Sequence, residues 1–227
     1  MAIYYNDILP LALALFAAYL TNFDLLYSII SVFIYLNLKA MPLAYTPLST
    51  RSHASILECN VNLHKSNSTY LANLDTNCAA LLSRLQARPL RRASAGLILG
   101  GVNVSFHREI HPFQAYETHS RVLTWDRKWI YVLSYHTRPG VAVGEGDDLE
   151  WLKAMRGKVD STKPLRPGIS SSIFTVFISK YAAKAGRRTV SPGDLLETSG
   201  LLGSKDSEIR QVKSLKILLN TRSQENS

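Results

Sequence analysis

The spacing of apolar and polar residues changes several times along the chain, and the first change marks the end of an apolar segment. Residues 8–38 are predominantly apolar, with one polar interruption at 21–24, and no Lys or Arg precedes Lys39. About 20 apolar residues cross a bilayer, whereas a cleavable signal would begin with basic residues. We therefore predict a retained membrane anchor within residues 1–39, as a single pass or a hairpin. The basic residues after it favour a cytosolic globular part.

A polar region follows the predicted anchor. Residues 40–54 contain Pro42, Pro47 and several Ser and Thr, which is typical of a linker. The stretch SILEC at 55–59 predicts a short strand. This strand would lead into a polar loop that is rich in Asn.

The apolar period becomes helical from Asn67 onward. Ser66 or Asn67 can cap the start, because a side-chain oxygen there can accept a free amide N–H. Pro89 and Gly96 would end the helix. Six apolar residues recur at helical spacing and would form one face: Leu71, Leu74, Cys78, Leu81, Leu82 and Leu85.

Alternating residues then predict strands. Residues 101–110 alternate apolar and polar positions, which is typical of a strand. Residues 118–125 and 129–137 are rich in β-branched and aromatic residues, and they flank the short loop DRK as in a hairpin. Residues 171–184 predict the last strand, before a loop and a short helix.

The order of these elements indicates an α+β fold in which one long helix packs on an antiparallel sheet. We expect the globular domain to cover residues 55–203. Residues 138–169, rich in Gly, Pro and charged residues, would be an excursion from it, and residues 204–227 a polar tail.

Charge is unevenly distributed. The net charge is +9, and residues 1–50 contribute −1 through Asp7, Asp24 and Lys39, which leaves +10 on the rest. A basic surface suits an anionic membrane, nucleic acid or an acidic ligand such as a coenzyme A tail. The chain has two cysteines and no CxxC pair, which excludes a zinc ribbon and a disulfide framework and favours a reducing compartment.

The candidate chemistry lies in the polar loop, where Asn60, Asn62, His64 and Asn67 crowd together before the helix. A helix N-terminus offers free N–H groups and a positive dipole end, which suit a developing oxyanion. Histidine changes charge near neutral pH and suits a general base. Turn-forming and capping roles would also explain these residues.

The loop and helix start resemble those of hotdog-fold thioesterases of the 4-hydroxybenzoyl-CoA type. The family pattern runs Asp, Gly-His, Asn-Asn, Tyr and an acidic residue. His64, Asn67, Tyr70 and Asp75 match that pattern, and Ser66 stands for the first Asn of the pair.

Later segments extend the resemblance. Residues 104–137 are similar to the strands that follow the hotdog helix. Residues 178–202 are similar to a membrane-anchored subfamily that includes the animal thioesterase superfamily member 6 and fungal thioesterase-like proteins, some of them in secondary-metabolite pathways. The resemblance implies a hotdog fold, an antiparallel sheet wrapped around one long helix, with an N-terminal anchor.

The resemblance implies hydrolysis of an acyl-CoA or carrier-bound acyl or polyketide thioester. Asn60, His64 and Asp75 would then be catalytic, and the substrate would contact Asn62, Ser66, Asn67 and Tyr70. We expect no metal, no cofactor and no nucleic-acid partner. Such domains generally dimerise, and a second copy could supply an acid, Glu109 or Glu117.

Two departures from the family pattern affect the chemistry, beside Leu63 in place of the Gly. Asn60 replaces the Asp that usually serves as nucleophile or base, and Cys78 is found where a basic residue often follows the helix acid by three positions. An amide takes up no proton near neutral pH, so the base would be His64 or Asp75. The same departure allows two alternatives, a non-catalytic acyl- or polyketide-binding protein and a hotdog dehydratase. Lys65 would lie on a solvated face or meet coenzyme A phosphates.

Overall fold

The computed structural model describes residues 47–86, 95–141 and 169–198, together with Pro10 and Leu13. Most of the predicted anchor, most of the excursion and the polar tail lie outside these residues. Among the residues described, no helix is long and apolar enough to span a bilayer.

Six antiparallel strands form one sheet in the described part of the chain. Their order is β1-β3-β4-β5-β2, and β6 pairs with β5. The strands are β1 (Leu48–His53), β2 (Ala95–Phe106), β3 (Ala115–Trp125), β4 (Trp129–Thr137), β5 (Ile173–Ala185) and β6 (Arg188–Val190). The helices are a 3-10 turn (Ile56–Glu58), α1 (Asn67–Gln86), a single turn α2 (Ile169–Ser172) and α3 (Pro192–Thr198).

The β3–β4 hairpin forms where the sequence predicts it, and Asp126 shapes its turn. One carboxylate oxygen of Asp126 accepts the N–H groups of Lys128 and Trp129, each at 2.7 Å. The other accepts the Tyr131 hydroxyl at 2.9 Å. Asp is favoured in turns because its side chain bonds the backbone two residues onward.

Strand β2 has a bulge at Gly100, where only a glycine fits. The pairing of β2 with β5 skips a residue between Leu99 and Gly101. A Cβ atom at Gly100 would overlap the ring of Trp129. Close approach of the Trp129 indole, at the first residue of β4, therefore requires a glycine at this position.

The long helix α1 confirms the periodicity prediction, since its 20 residues begin at Asn67. Leu74, Leu81 and Leu82 are buried against the sheet, and each such side chain contributes about 1.5–3 kcal/mol on leaving water. Leu71, placed on the same face by the sequence, is 39% exposed. The apolar face is therefore narrower at the beginning of the helix.

Polar contacts also join α1 to the sheet. The Asn77 amide donates to the Thr50 hydroxyl of β1 at 2.7 Å. The Cys78 sulfur lies 3.6 Å from the Ser134 hydroxyl, which is 2.7 Å from that of Ser120. Buried polar groups need such partners, so these contacts fix the helix over β1, β3 and β4.

Three strand predictions were wrong in part. Residues 48–53, expected in a linker, form β1 and pair with β3 from Leu48 to His53. The stretch 55–59 forms the 3-10 turn Ile56–Glu58 and its two caps rather than a strand. The strand expected over 101–110 runs from Ala95 to Phe106, and residues 107–110 leave the sheet. The segment they form crosses the loop before α1.

Candidate active site

The loop before α1 is a tight, closed turn. Cys59 and Lys65 form an isolated antiparallel bridge across its neck. Above the bridge, the Asn60 N–H donates to the His64 carbonyl at 2.9 Å and the Leu63 N–H to the Asn60 carbonyl at 3.0 Å. Leu63 has a φ of +58°, the left-handed conformation that favours glycine. This is the position where the resembled family has Gly.

The side chains of Asn60 and His64 face each other across the turn. The side-chain oxygen of Asn60, Oδ1, accepts the backbone N–H of Asn62 at 2.9 Å. This bond turns the Asn60 amide nitrogen toward the His64 ring, where it lies 3.2 Å from Nε2 and 3.3 Å from Nδ1. The His64 Nδ1 atom is also 3.3 Å from the Lys65 carbonyl.

We assign the Nδ1-protonated tautomer to the neutral imidazole from these contacts. In this tautomer Nδ1 donates to the Lys65 carbonyl, and the Nε2 lone pair can accept from the Asn60 amide. The Glu109 carboxylate lies 3.9 Å from the same Nε2 atom.

Lys65 is completely buried beneath this loop, contrary to the prediction of a solvated or phosphate-binding side chain. Its ammonium is 2.5 Å from the Glu58 carboxylate. The same nitrogen lies 5.7 Å from the ring centre of Tyr70 and 5.1 Å from that of Tyr116. A carboxylate and two aromatic faces thus replace the water that the charge has lost.

His136 lies in the core beside this charge. Its ring centre is 5.5, 5.3 and 5.1 Å from those of Tyr70, Tyr116 and Phe177. Within the described part of the chain, neither ring nitrogen has a hydrogen-bond partner. Burial and the positive charge of Lys65 lower the pKa of His136 to about 3, so the ring is neutral at physiological pH.

The remaining predicted substrate contacts have varied surroundings. Asn62 and Asn67 are exposed, at the loop and at the first residue of α1. The Ser66 hydroxyl is 3.0 Å from that of Ser68. Tyr70 is in the core, where its hydroxyl accepts the Ile110 N–H at 3.1 Å and burial raises its pKa to about 12.

Asp75 is exposed on α1, eight residues beyond the start of the helix. That spacing corresponds to about 12 Å along the helix axis. The single chain therefore brings His64 together with Asn60 and Glu109 rather than with Asp75. Glu117, the other acid considered, is on β3, where it lies 3.7 Å from His119 and accepts the Gly140 N–H at 3.2 Å.

Sequence reasoning missed Glu58 and Lys65 as a pair and Glu109 as a neighbour of His64 within one chain. The close spacing of Glu58 and Lys65 could have suggested an ion pair at the base of a turn. No local pattern signals the approach of Glu109, because 45 residues separate it from His64 and the sheet brings them together.

Comparison with known proteins identifies similar chains. The family model described as the Thioesterase-like superfamily matches residues 55–149. Thioesterase poxG from Penicillium oxalicum is 38% identical over 175 residues, which cover 70% of this chain and 55% of the relative. The protein named Probable thioesterase atnL from Emericella nidulans is 33% identical over 187 residues, covering 73% of this chain and 58% of the relative. The chain thus spans little more than half the length of these relatives.

Among solved structures, a 1,4-dihydroxy-2-naphthoyl-CoA thioesterase from Synechocystis is similar with a TM-score of 0.47 and 8% identity. The similarity covers 68% of this chain and 95% of that one.

The left-handed residue at the loop tip generates a stability prediction. We expect Leu63→Gly to raise the free energy of unfolding by about 0.5–1 kcal/mol, because the relief of left-handed strain outweighs the added freedom of the unfolded chain. Leu63 is 62% exposed, so little packing is lost. Urea denaturation measures the change.

Val61→Gly is the matched control for this prediction. Val61 is 97% exposed in the same loop and has an ordinary φ. It should lose about 0.4–1 kcal/mol through the unfolded state alone. Destabilisation of the same size in both variants would contradict the strain argument.

The buried His136 generates a pH prediction. Its folded pKa of about 3 lies below the ordinary 6.5, so the unfolded chain binds the proton first. The contribution of neutral His136 to stability is therefore fully present above about pH 6.5. Below that pH the free energy of unfolding falls by up to about 1.4 kcal/mol per pH unit toward pH 3. Burial lowers the pKa of His119 as well, which adds to the slope in the same direction.

Unfolding free energies between pH 7 and 4.5 test this contribution. We expect His136→Phe, which keeps the ring contacts, to flatten the acid slope relative to wild type. His111→Gln, at an exposed histidine, should leave the slope unchanged. Equal slopes in wild type and His136→Phe would show that His136 does not titrate with unfolding.

Proposed function

We propose that this chain, whose residues 55–149 match the model of the Thioesterase-like superfamily, carries a hotdog domain that hydrolyses an acyl thioester. The carrier would be coenzyme A or an acyl-carrier protein. The observation that carries the proposal is the placement of His64 between Asn60 and Glu109, directly before the N-terminus of a 20-residue helix.

In the proposed reaction His64 is the general base. Its Nε2 atom, free of a proton in the assigned tautomer, takes a proton from water as the water oxygen bonds to the thioester carbonyl carbon. Glu109 stabilises the imidazolium that forms. The carbon–sulfur bond then breaks, and the thiolate leaves with the proton from His64, which yields a free acid and a thiol.

The beginning of α1 would stabilise the oxyanion. The first N–H groups of a helix have no carbonyl one turn earlier to bond, and those of Asn67 and Ser68 are in this first turn. Thr69 and Tyr70 already donate to the Ser66 carbonyl. The exposed first turn therefore offers donors and a positive dipole end beside the loop.

Asn60 would hold the base rather than act as one. Its amide donates to His64 Nε2 and must release that nitrogen when the water is bound. The same observation favours a second candidate, a protein that binds acyl or polyketide thioesters without hydrolysis. In that case the Asn60 amide would keep the lone pair of His64 occupied.

We propose a role in secondary-metabolite biosynthesis, with an acyl or polyketide group as the cargo, and similarity to fungal proteins named as thioesterases supports the hydrolytic part of this proposal. We further propose that residues 1–39 tether the protein to a membrane, with the globular domain in the cytosol. The apolar composition of residues 8–38 is the support for the tether. Recovery of the full chain in the soluble fraction of cells would refute it.

A homodimer would explain the exposed edge of the sheet. Strand β2 is at one end of the strand order, and Ile98, Leu99 and Phe106 along it are 55%, 44% and 46% exposed. A long apolar edge strand is prone to pair with another chain. Pairing of two β2 strands would continue the sheet across a two-fold axis.

A kinetic experiment tests the proposed hydrolysis. We expect wild type to hydrolyse members of a mixed acyl-CoA panel, and His64→Ala to lose about 10²–10⁴-fold in kcat. Glu109→Gln should lose less, because it keeps the base and removes only the stabilising charge. Ile110→Val, in the same segment, is the control and should remain active.

The opposite results have clear meanings. Folded wild-type protein that binds acyl-CoA and shows no turnover on the panel would favour the binding protein. Equal turnover by wild type and His64→Ala would refute the assignment of His64 as the base.

The edge strand generates a prediction for the oligomer. Ile98→Lys should shift the protein from dimer to monomer in analytical ultracentrifugation, because a charge on the edge opposes pairing. Val61→Lys adds the same charge in the loop and should leave the dimer intact. A monomeric wild type would refute the dimer.

A further inference from the structure

We propose that Glu58 and Lys65 form a clamp at the neck of the catalytic loop that holds His64 opposite Glu109. Lys65 would then be a positioning residue for the reaction, acting through His64 without touching the substrate. The inference rests on the proposed function for its kinetic consequence, whereas the clamp itself can be tested without turnover.

Glu58 joins one side of the loop to the beginning of α1. Its backbone carbonyl accepts the Ser66 N–H at 2.8 Å and the Thr69 hydroxyl at 3.0 Å. Its carboxylate reaches across the neck to the ammonium of Lys65. Glu58 therefore ties the incoming chain to both the outgoing chain and the helix.

Lys65 joins the other side of the loop to the segment that carries Glu109. The backbone N–H of Lys65 donates to the backbone carbonyl of Ile110 at 2.8 Å. His64 immediately precedes Lys65, and Glu109 immediately precedes Ile110. A single backbone bond between Lys65 and Ile110 thus sets the approach of the two side chains proposed to share a proton.

The buried charge of Lys65 favours this pairing of Lys65 with Ile110 over pairings shifted by one residue. Side chains of an extended segment alternate between two faces, so a slip by one residue would expose Lys65 and bury His64. Such a slip would separate the ammonium from Glu58 and from the rings of Tyr70 and Tyr116. A buried ion pair is weak evidence for stability but can specify one arrangement, which is the role we assign to this pair.

The kinetic test uses a neutral clamp. In the double variant Glu58→Gln/Lys65→Met both charges are removed together, so neither is left buried alone. We expect this variant to fold, with kcat lower by about 10- to 100-fold and KM within about twofold, because misplacement of the base affects the chemical step. Lys184→Met, which removes a lysine that bonds Thr189 on the sheet, should leave both constants unchanged.

A spectroscopic test separates positioning from general damage. When Glu109→Gln is made with the clamp intact, the ring resonances of His64 in NMR spectra should shift relative to those of wild type, because the Glu109 carboxylate is near Nε2. In the neutral-clamp background the same substitution should shift them much less. This readout needs no turnover, so an inactive wild type would refute the proposed hydrolysis while the NMR coupling still decides the clamp.

The outcomes are decisive in each case. A folded double variant with wild-type kcat and an undiminished response of His64 to Glu109→Gln would overturn the proposal. If the double variant does not fold, Glu58→Asp provides the test, since it keeps both charges and shortens one arm by a methylene. A weaker His64 response in Glu58→Asp would support the clamp, and an unchanged response would overturn it.

Discussion

A lysine charge buried without water constrains the whole region around the loop. Removing an ammonium from water costs several kcal/mol, and only close partners offset that cost. For Lys65 these partners are the Glu58 carboxylate and the faces of Tyr70 and Tyr116. Because each partner comes from a different element, the 3-10 turn, α1 and β3 must converge on one point. Burial keeps His136 neutral, and the same charge adds to this effect.

The sheet and the long helix supply what the loop lacks on its own. The β1 and β3 strands pair along the full length of β1, and Asn77 fixes α1 over them through Thr50. The hydroxyl of Tyr70 then accepts the Ile110 N–H, which positions the segment after β2 against the first turns of α1. The segment bearing Glu109 is therefore held by both α1 and the loop, so packing in the core sets the geometry of exposed side chains.

Local sequence patterns predicted the elements that depend on local energetics. The helix from Asn67 follows from the spacing of its leucines, and the hairpin follows from Asp126. Strand β1 was mistaken for a linker because Pro47 and several polar residues obscure its alternation, and its stability comes from pairing with β3. The buried state of Lys65 could not be predicted, because a lysine in a polar stretch is ordinarily solvated. Its burial depends on the rings of Tyr70 on α1 and of Tyr116 on the distant strand β3.

The replacement of Asp by Asn at position 60 acquires a physical explanation from these contacts. An aspartate there would accept hydrogen bonds only and could not donate one to the His64 ring. Asparagine can instead donate to the lone pair of His64 Nε2 in the assigned tautomer. In the mechanism proposed above the carboxylate is that of Glu109, and it belongs to the segment whose Ile110 carbonyl accepts the backbone N–H of Lys65. In that proposal the departure at Asn60 and the buried charge of Lys65 belong to one arrangement, in which the clamp positions Glu109 in place of a carboxylate from the loop itself.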